Sequence, residues 1–125
     1  MTALRISAAA ALVLAFAAPA RADAVPTITI ALDSYSYAPS PIRLAAGQRV
    51  RLVFVNRSGS GHDFTAREFF KSSRILQGAV PGGEVELRGH QTAAVQLIPT
   101  RGRYKVHCSH FGHALLGMST EILVI

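Results

Sequence analysis

Residues 104–118, YKVHCSHFGHALLGM, carry the strongest indication of the fold of this chain. They contain the only cysteine, Cys108, followed after four residues by His113 and after four more by Met118. Thiolate and thioether ligands favour Cu(I), and imidazole suits copper, so these three side chains form a ligand set for copper. A trigonal His2Cys site with an axial methionine needs one more histidine. The best candidate is His62, because it follows a strong strand pattern that could lie beside the strand delivering Cys108.

The composition favours one domain. A chain of 125 residues can bury a single core and is too short for two. Tryptophan is absent, aromatic residues make up 7%, and the basic residues are scattered singly, so no nucleic-acid partner is expected. A lone cysteine cannot form an intramolecular disulfide. In an exported protein it is a reactive thiol, an intermolecular bridge or a metal ligand.

Residues 1–22 have the pattern of a secretory signal peptide. Arg5 supplies a short positive region, and residues 7–18 form an apolar stretch too short to span a bilayer comfortably. Ala20-Arg21-Ala22 then provides a small-x-small cleavage sequence. The pattern predicts export to the periplasm without stable membrane insertion.

We expect cleavage after Ala22, with Ala24 as the alternative, which leaves residues 23–125 as the mature domain. Removal of Arg5 and Arg21 lowers the formal net charge from +6 to +4. The mature chain is therefore moderately basic, a property that can favour acidic partners.

The mature chain has the alternating pattern of short strands separated by turn residues. Residues 67–77, REFFKSSRILQ, break this alternation and predict a short helix or ordered loop inserted between strands, with Phe69 and Phe70 in the core. About seven to eight strands without a long helix predict an all-β sandwich or barrel. The predicted strands cover residues 27–32, 42–44, 49–56, 84–87, 92–97, 102–108 and 120–125.

These features together resemble the cupredoxins, the type 1 or blue copper family that includes plastocyanin, azurin and auracyanin. The resemblance covers nearly the whole mature chain, from the Ala46-Gly47-Gln48 turn through Gly61-His62-Asp63-Phe64 to the Cys-x4-His-x4-Met loop. It implies a Greek-key β-sandwich that holds one type 1 copper ion. The implied ligands are His62, Cys108 and His113 in a trigonal plane, with Met118 as the weak axial ligand.

The resemblance also implies residues that support the ligands. Asp63 occupies the place where the family usually has an asparagine, and Ser109 is its natural partner; we expect the Ser109 hydroxyl or backbone N–H to donate to Asp63. Gly61 precedes the first histidine as in azurin, where the glycine carbonyl approaches the metal. His110 is a second imidazole within reach of the loop and is an alternative ligand in place of His113 or Met118.

The implied function is one-electron transfer through copper in the periplasm, by a protein that is not an enzyme and is monomeric. The expected partner is a transient redox protein, such as a cytochrome or a copper oxidoreductase. The alternative is a periplasmic copper carrier or storage protein with the same ligands. A copper enzyme would need a second histidine-rich site, and His90, His107 and His110 form no obvious cluster in the sequence.

Overall fold

The computed structural model describes residues 1–17 and 24–125. Residues 1–17 are exposed and form neither helix nor strand. The predicted cleavage point after Ala22 lies outside the described residues, so the signal peptide and the start of the mature domain remain predictions. Across the described ranges, no helix has the length and apolar character needed to cross a membrane.

Within those ranges, the chain forms ten strands, one short helix and one 3-10 turn at Pro81–Gly83. The all-β prediction is confirmed, with ten strands in place of about seven to eight. The elements are β1 (Thr27–Asp33), β2 (Ser36–Ala38), β3 (Ile42–Leu44), β4 (Val50–Asn56), β5 (His62–Thr65), α1 (Arg67–Ser72), β6 (Arg74–Gln77), β7 (Glu84–Leu87), β8 (Thr92–Ile98), β9 (Gly102–His107) and β10 (Ser119–Val124).

The strands form two five-stranded sheets. The first has the order β2-β1-β4-β8-β6 and the second the order β3-β10-β9-β5-β7. The β1–β4 and β3–β10 pairs are parallel, and the other pairs are antiparallel. In the second sheet, β5 and β9 are neighbours joined at the Thr65–His107 pair. The strand that begins with His62 therefore lies beside the strand that precedes Cys108.

The core sits between the sheets and follows the alternation in the sequence. In β4, Leu52 and Phe54 are fully buried while Arg51 is exposed, as expected for a strand with one face on the core. Phe54 packs against Phe64 of β5 with ring centroids 4.8 Å apart. Burial of each such side chain contributes roughly 1.5–3 kcal/mol, so this packing fixes β5, and the histidine at its start, against the first sheet.

The segment predicted as an insertion divides into two elements. Residues 67–72 form α1, with Phe69 and Phe70 buried as predicted, whereas residues 74–77 form β6 at the edge of the first sheet. The pairing of β6 with β8 is irregular between Ile75 and Gln77. This irregularity accounts for the lack of alternation in the sequence.

Candidate metal centre

The loop before His62 is held by one buried asparagine. The Asn56 side-chain amide donates to the carbonyl oxygens of Ser60 at 2.7 Å and Arg88 at 3.0 Å, and its oxygen accepts from the Ser58 N–H at 3.0 Å. Asn56 is buried, so these bonds are shielded from water. They define the course of the chain into β5, where His62 is fully buried.

β9 delivers Cys108 to the interior immediately after its last residue. Cys108 Sγ accepts backbone N–H bonds from Asp63, at 3.5 Å, and from His110. The Cys108 N–H donates to the carbonyl oxygen of Met118 at 3.1 Å. The thiol is therefore buried, and backbone N–H groups of β5 and of the loop after β9 orient it.

The loop between Cys108 and β10 is a series of turns closed by backbone bonds. The N–H of His113 donates to the His110 carbonyl, and the N–H of Met118 donates to the His113 carbonyl, each at 3.1 Å. Gly112 and Gly117 have φ values of 76° and 93°, a region that suits glycine because it has no Cβ. These turns bring His113 back over the cysteine and place Met118, which is fully buried, at the start of β10.

Three potential ligand atoms converge. The Nδ1 atoms of His62 and His113 are 3.2 Å apart, and Cys108 Sγ lies 3.4 Å from His113 Nδ1 and 4.0 Å from His62 Nδ1. A point equidistant from all three lies about 2.1 Å from each, close to the roughly 2.0–2.3 Å bonds that imidazole nitrogen and thiolate sulfur make to a metal such as zinc. The two nitrogens and the sulfur thus fit one first-row metal ion, and this donor set with a nearby thioether suits copper better than zinc.

The turn between β1 and β2 contacts both imidazoles, which the sequence did not suggest. Ser34 Oγ lies 2.9 Å from His62 Nε2, the ring nitrogen that faces away from the cluster. A hydroxyl that accepts from Nε2–H leaves the Nδ1 lone pair available to a metal. The Tyr35 ring meets His113 in an edge contact at 5.0 Å between centroids. Ser34 and Tyr35 lie in a turn that connects two strands of the first sheet, so they reach the site only because the two sheets pack together.

Asp63 is the centre of a second network next to the cluster. It is fully buried and accepts the Ser109 N–H at 2.9 Å, the Thr65 hydroxyl at 2.7 Å and the Ser109 hydroxyl. Both expected donors of Ser109 are present. The Tyr37 hydroxyl donates to the Asp63 carbonyl at 2.6 Å. These bonds tie β5 to the loop after Cys108.

His110 points to the edge of the site and has an acidic partner. Its Nε2 lies 2.8 Å from Glu86 Oε1 and 3.8 Å from Asp63 Oδ2. Its ring stacks on that of His113, with centroids 5.3 Å apart and an interplanar angle of 21°. A Cβ at Gly61 would come within 3.2 Å of His110 Cε1, a tight contact, so glycine leaves room for this imidazole.

The surroundings favour the uncharged forms of two of the candidate ligands, His62 and Cys108. Burial, followed by the charges of His113 and His110, lowers the pKa of His62 and favours the neutral imidazole that a metal requires. Burial raises the pKa of the Cys108 thiol, and the two backbone N–H bonds act in the opposite direction. A bound cation would add to the effect of those bonds, because a coordinating thiol is deprotonated.

The structure brings together His62, Cys108 and His113, and backbone bonds place Met118 beside the last two. His90 and His107 belong to neither of the two clusters of metal-ligating side chains found in residues 1–17 and 24–125. A histidine-rich second site built from them is therefore not supported by the described residues.

The two-sheet β-sandwich, with a buried thiol between two imidazoles, places the chain in the class of small β-sandwich proteins with a candidate metal site. A family model described as "Cupredoxin-like domain" matches residues 6–118. The chain belongs to the cupredoxin family.

Solved structures share this fold at low sequence identity. Auracyanin B is 21% identical, with a TM-score of 0.56 over 83% of this chain and 93% of its own. The reduced auracyanin of Roseiflexus castenholzii is 17% identical, with a TM-score of 0.61 over 82% of this chain and 99% of its own. A laccase from Pediococcus acidilactici is 14% identical, with a TM-score of 0.64 over 86% of this chain and 28% of the laccase. A search of curated proteins gives no match.

Proposed function

We propose that this protein binds one copper ion and carries single electrons in the periplasm, and that it is not an enzyme. The observation that carries the proposal is the convergence of Cys108 Sγ with the two Nδ1 atoms at separations of 3.2–4.0 Å. His62, Cys108 and His113 would hold the ion, and Met118 would offer a thioether as a further, weaker ligand. Copper bound there alternates between Cu(I) and Cu(II) and so accepts and donates one electron.

Hydrogen bonds within the protein keep His62, Cys108 and His113 in fixed orientations. Ser34 orients the His62 ring, two backbone N–H groups orient the Cys108 sulfur, and the Asp63 bonds fix the loop that carries His113. Donors already in place cost little reorganisation when the charge at the site changes. The chain can therefore exchange electrons without a large movement of its ligands.

The surface near His113 suits a transient partner. Phe111 and Leu115 are almost fully exposed, and Leu116 is 60% exposed, all within the ligand loop. Apolar side chains around a half-buried ligand offer a small docking surface, as expected of redox complexes that separate quickly. We propose that a cytochrome or a copper oxidoreductase docks there and that the protein acts as a monomer.

The similarity to the auracyanins supports an electron carrier over an enzyme. One auracyanin was solved in a dithionite-reduced form, and both auracyanins are matched over nearly their whole length. The laccase is matched over less than a third of its chain.

A copper carrier or storage protein is the second candidate. His110 and Glu86 favour it, because they form an additional polar contact at the partly exposed edge of the site. A carrier would release copper readily to a chelator, whereas an electron shuttle would retain it through many redox cycles.

The test is the visible absorption and EPR spectrum of the exported protein loaded with Cu(II). We expect an intense thiolate-to-copper band and narrow copper hyperfine splitting, lost in Cys108→Ser and shifted in Met118→Ala. Retention of an ordinary, weak Cu(II) spectrum in Cys108→Ser would refute the ligand assignment.

A further inference from the structure

Glu86, His110 and Asp63 form a polar cluster between the solvent and the buried ligands. The Glu86 side chain is 54% exposed, the His110 side chain 32% and the Asp63 side chain 1%. His110 Nε2 is 2.8 Å from the Glu86 carboxylate and 3.8 Å from that of Asp63. The cluster thus extends from the surface to the interior.

Its inner end reaches the proposed copper ligands. The ligating atoms of His110, Asp63 and Cys108 all lie within 4.8 Å of one another. Cys108 Sγ is in turn 3.4 Å from His113 Nδ1. An ion could therefore pass from Glu86 to the buried thiolate while remaining close to at least one donor atom at every stage.

The charge distribution gives the cluster a reason to capture a cation. The chain has a formal charge of +6, or +4 without residues 1–22, and this positive charge opposes the approach of a divalent cation. Glu86 and Asp63 place two carboxylates next to one imidazole, and imidazole and carboxylate ligands suit Cu(II). Of the proposed ligands, His62 and Cys108 are too deeply buried to meet an ion from solvent first, whereas His113 is half-buried. His110 differs from His113 in its contact with the exposed Glu86 carboxylate.

We propose that Glu86 and His110, with Asp63 behind them, form the entry site through which Cu(II) reaches the buried ligands. Glu86 and His110 take the ion from water, and Cys108 and His113 then replace them as ligands, with release of the Cys108 proton to solvent. This inference rests on the proposed copper function. It gives His110 a role in loading rather than as a permanent ligand.

The test compares Glu86→Gln with Glu68→Gln, which removes the same charge from an exposed residue of α1. Metal-free protein is mixed with copper(II) sulfate in a stopped-flow instrument, and growth of the thiolate-to-copper band gives the loading rate. Extraction of bound copper by EDTA gives the reverse rate. Glu86→Gln keeps a hydrogen-bonding oxygen and lies at an exposed position, so the fold should be retained.

We expect Glu86→Gln to slow loading by about tenfold, the lower end of the range for electrostatic effects on association. Extraction should slow by a similar factor, because a residue on the pathway changes the barrier in both directions. Glu68→Gln should change neither rate, and Glu86→Asp, which retains the charge, should restore much of both.

Two results would overturn the entry site while leaving the copper function intact. One is equal loading rates in Glu86→Gln and Glu68→Gln. The other is slower loading combined with faster extraction, which would mean that Glu86 acts only through its long-range field. Absence of the band in the unmodified protein would instead refute the proposed function, and the entry site with it.

Discussion

Replacement of Asp63 by asparagine should raise the reduction potential of the copper-loaded protein with little loss of stability. A carboxylate oxygen of Asp63 lies within 4.8 Å of Cys108 Sγ, in a fully buried position. Asp63 Oδ1 accepts hydrogen bonds from the Ser109 N–H and the Thr65 hydroxyl. In the proposed copper site, a negative charge on this carboxylate would stabilise Cu(II) relative to Cu(I).

The size of the effect follows from that distance. A unit charge about 5 Å away contributes about 3 kcal/mol at an effective dielectric constant of about 20. For one electron, about 2.3 kcal/mol corresponds to 100 mV, so we expect an upward shift on the order of 100 mV.

The hydrogen bonds should survive the substitution. The asparagine oxygen can accept both bonds now made to Asp63 Oδ1, and the Ser109 hydroxyl can rotate to accept from the new amide N–H. The free energy of unfolding of metal-free protein should fall by about 1 kcal/mol or less. Asp63→Ala, which leaves these donors without an acceptor, should cost about 3 kcal/mol.

Protein-film voltammetry measures the potential, and urea unfolding measures the stability. Glu68→Gln is the matched control, because it removes the same charge from an exposed residue of α1, where a carboxylate is largely screened by salt. A shift of Asp63→Asn no larger than that of the control, or in the downward direction, would show that the Asp63 charge does not act on the metal. Equal destabilisation by asparagine and alanine would refute the hydrogen-bond argument.

Three further outcomes follow from the site. Ser34→Ala should weaken copper binding by about 10- to 100-fold, as loss of a ligand's outer partner does, and a chelator competition assay should show Ser34→Thr restoring much of it. Because burial lowers the pKa of His62, the unfolded chain binds a proton at this residue more readily than the folded chain does. Urea unfolding of the metal-free protein should therefore show a free energy of unfolding that falls as the pH drops below about 6.5. This pH dependence should be smaller in His62→Gln. Met118→Ala should destabilise the metal-free protein by about 2–5 kcal/mol. Met118→Leu should cost less than about 1.5 kcal/mol, because leucine keeps the side-chain volume. It should still alter the copper spectrum, because it removes the thioether. A Leu variant with an unchanged spectrum would remove Met118 from the ligand set.

The sequence predicted the strands that have one face on the core and one in solvent. β4 alternates buried and more exposed residues over its full length, and this alternation predicts a strand with one face on the core. β5 was missed because all four of its residues are buried, which leaves no alternation to detect. β2 was missed because it has only three residues and runs directly into Pro39.

The ligand candidates were predictable because chemistry and spacing single them out, and three of them converge in the structure. The residues that orient them were only partly predictable. The resemblance to the cupredoxins predicts that Ser109 bonds Asp63, whereas Ser34 comes from a turn 28 residues before His62. Ser34 contacts His62 because the turn between β1 and β2 of the first sheet packs over the start of β5 in the second sheet. No local sequence pattern predicts this packing.

The backbone bond from Cys108 to Met118 closes the ligand loop at the point where it joins β9 and β10. Beyond this bond, β9 and β10 pair regularly from His107–Ser119 onward. Insertions or deletions within residues 109–117 would therefore leave the strand register unchanged. We expect that exchange of residues 109–117 for another loop would change the proposed docking surface and the spacing of the candidate ligands while the fold is retained.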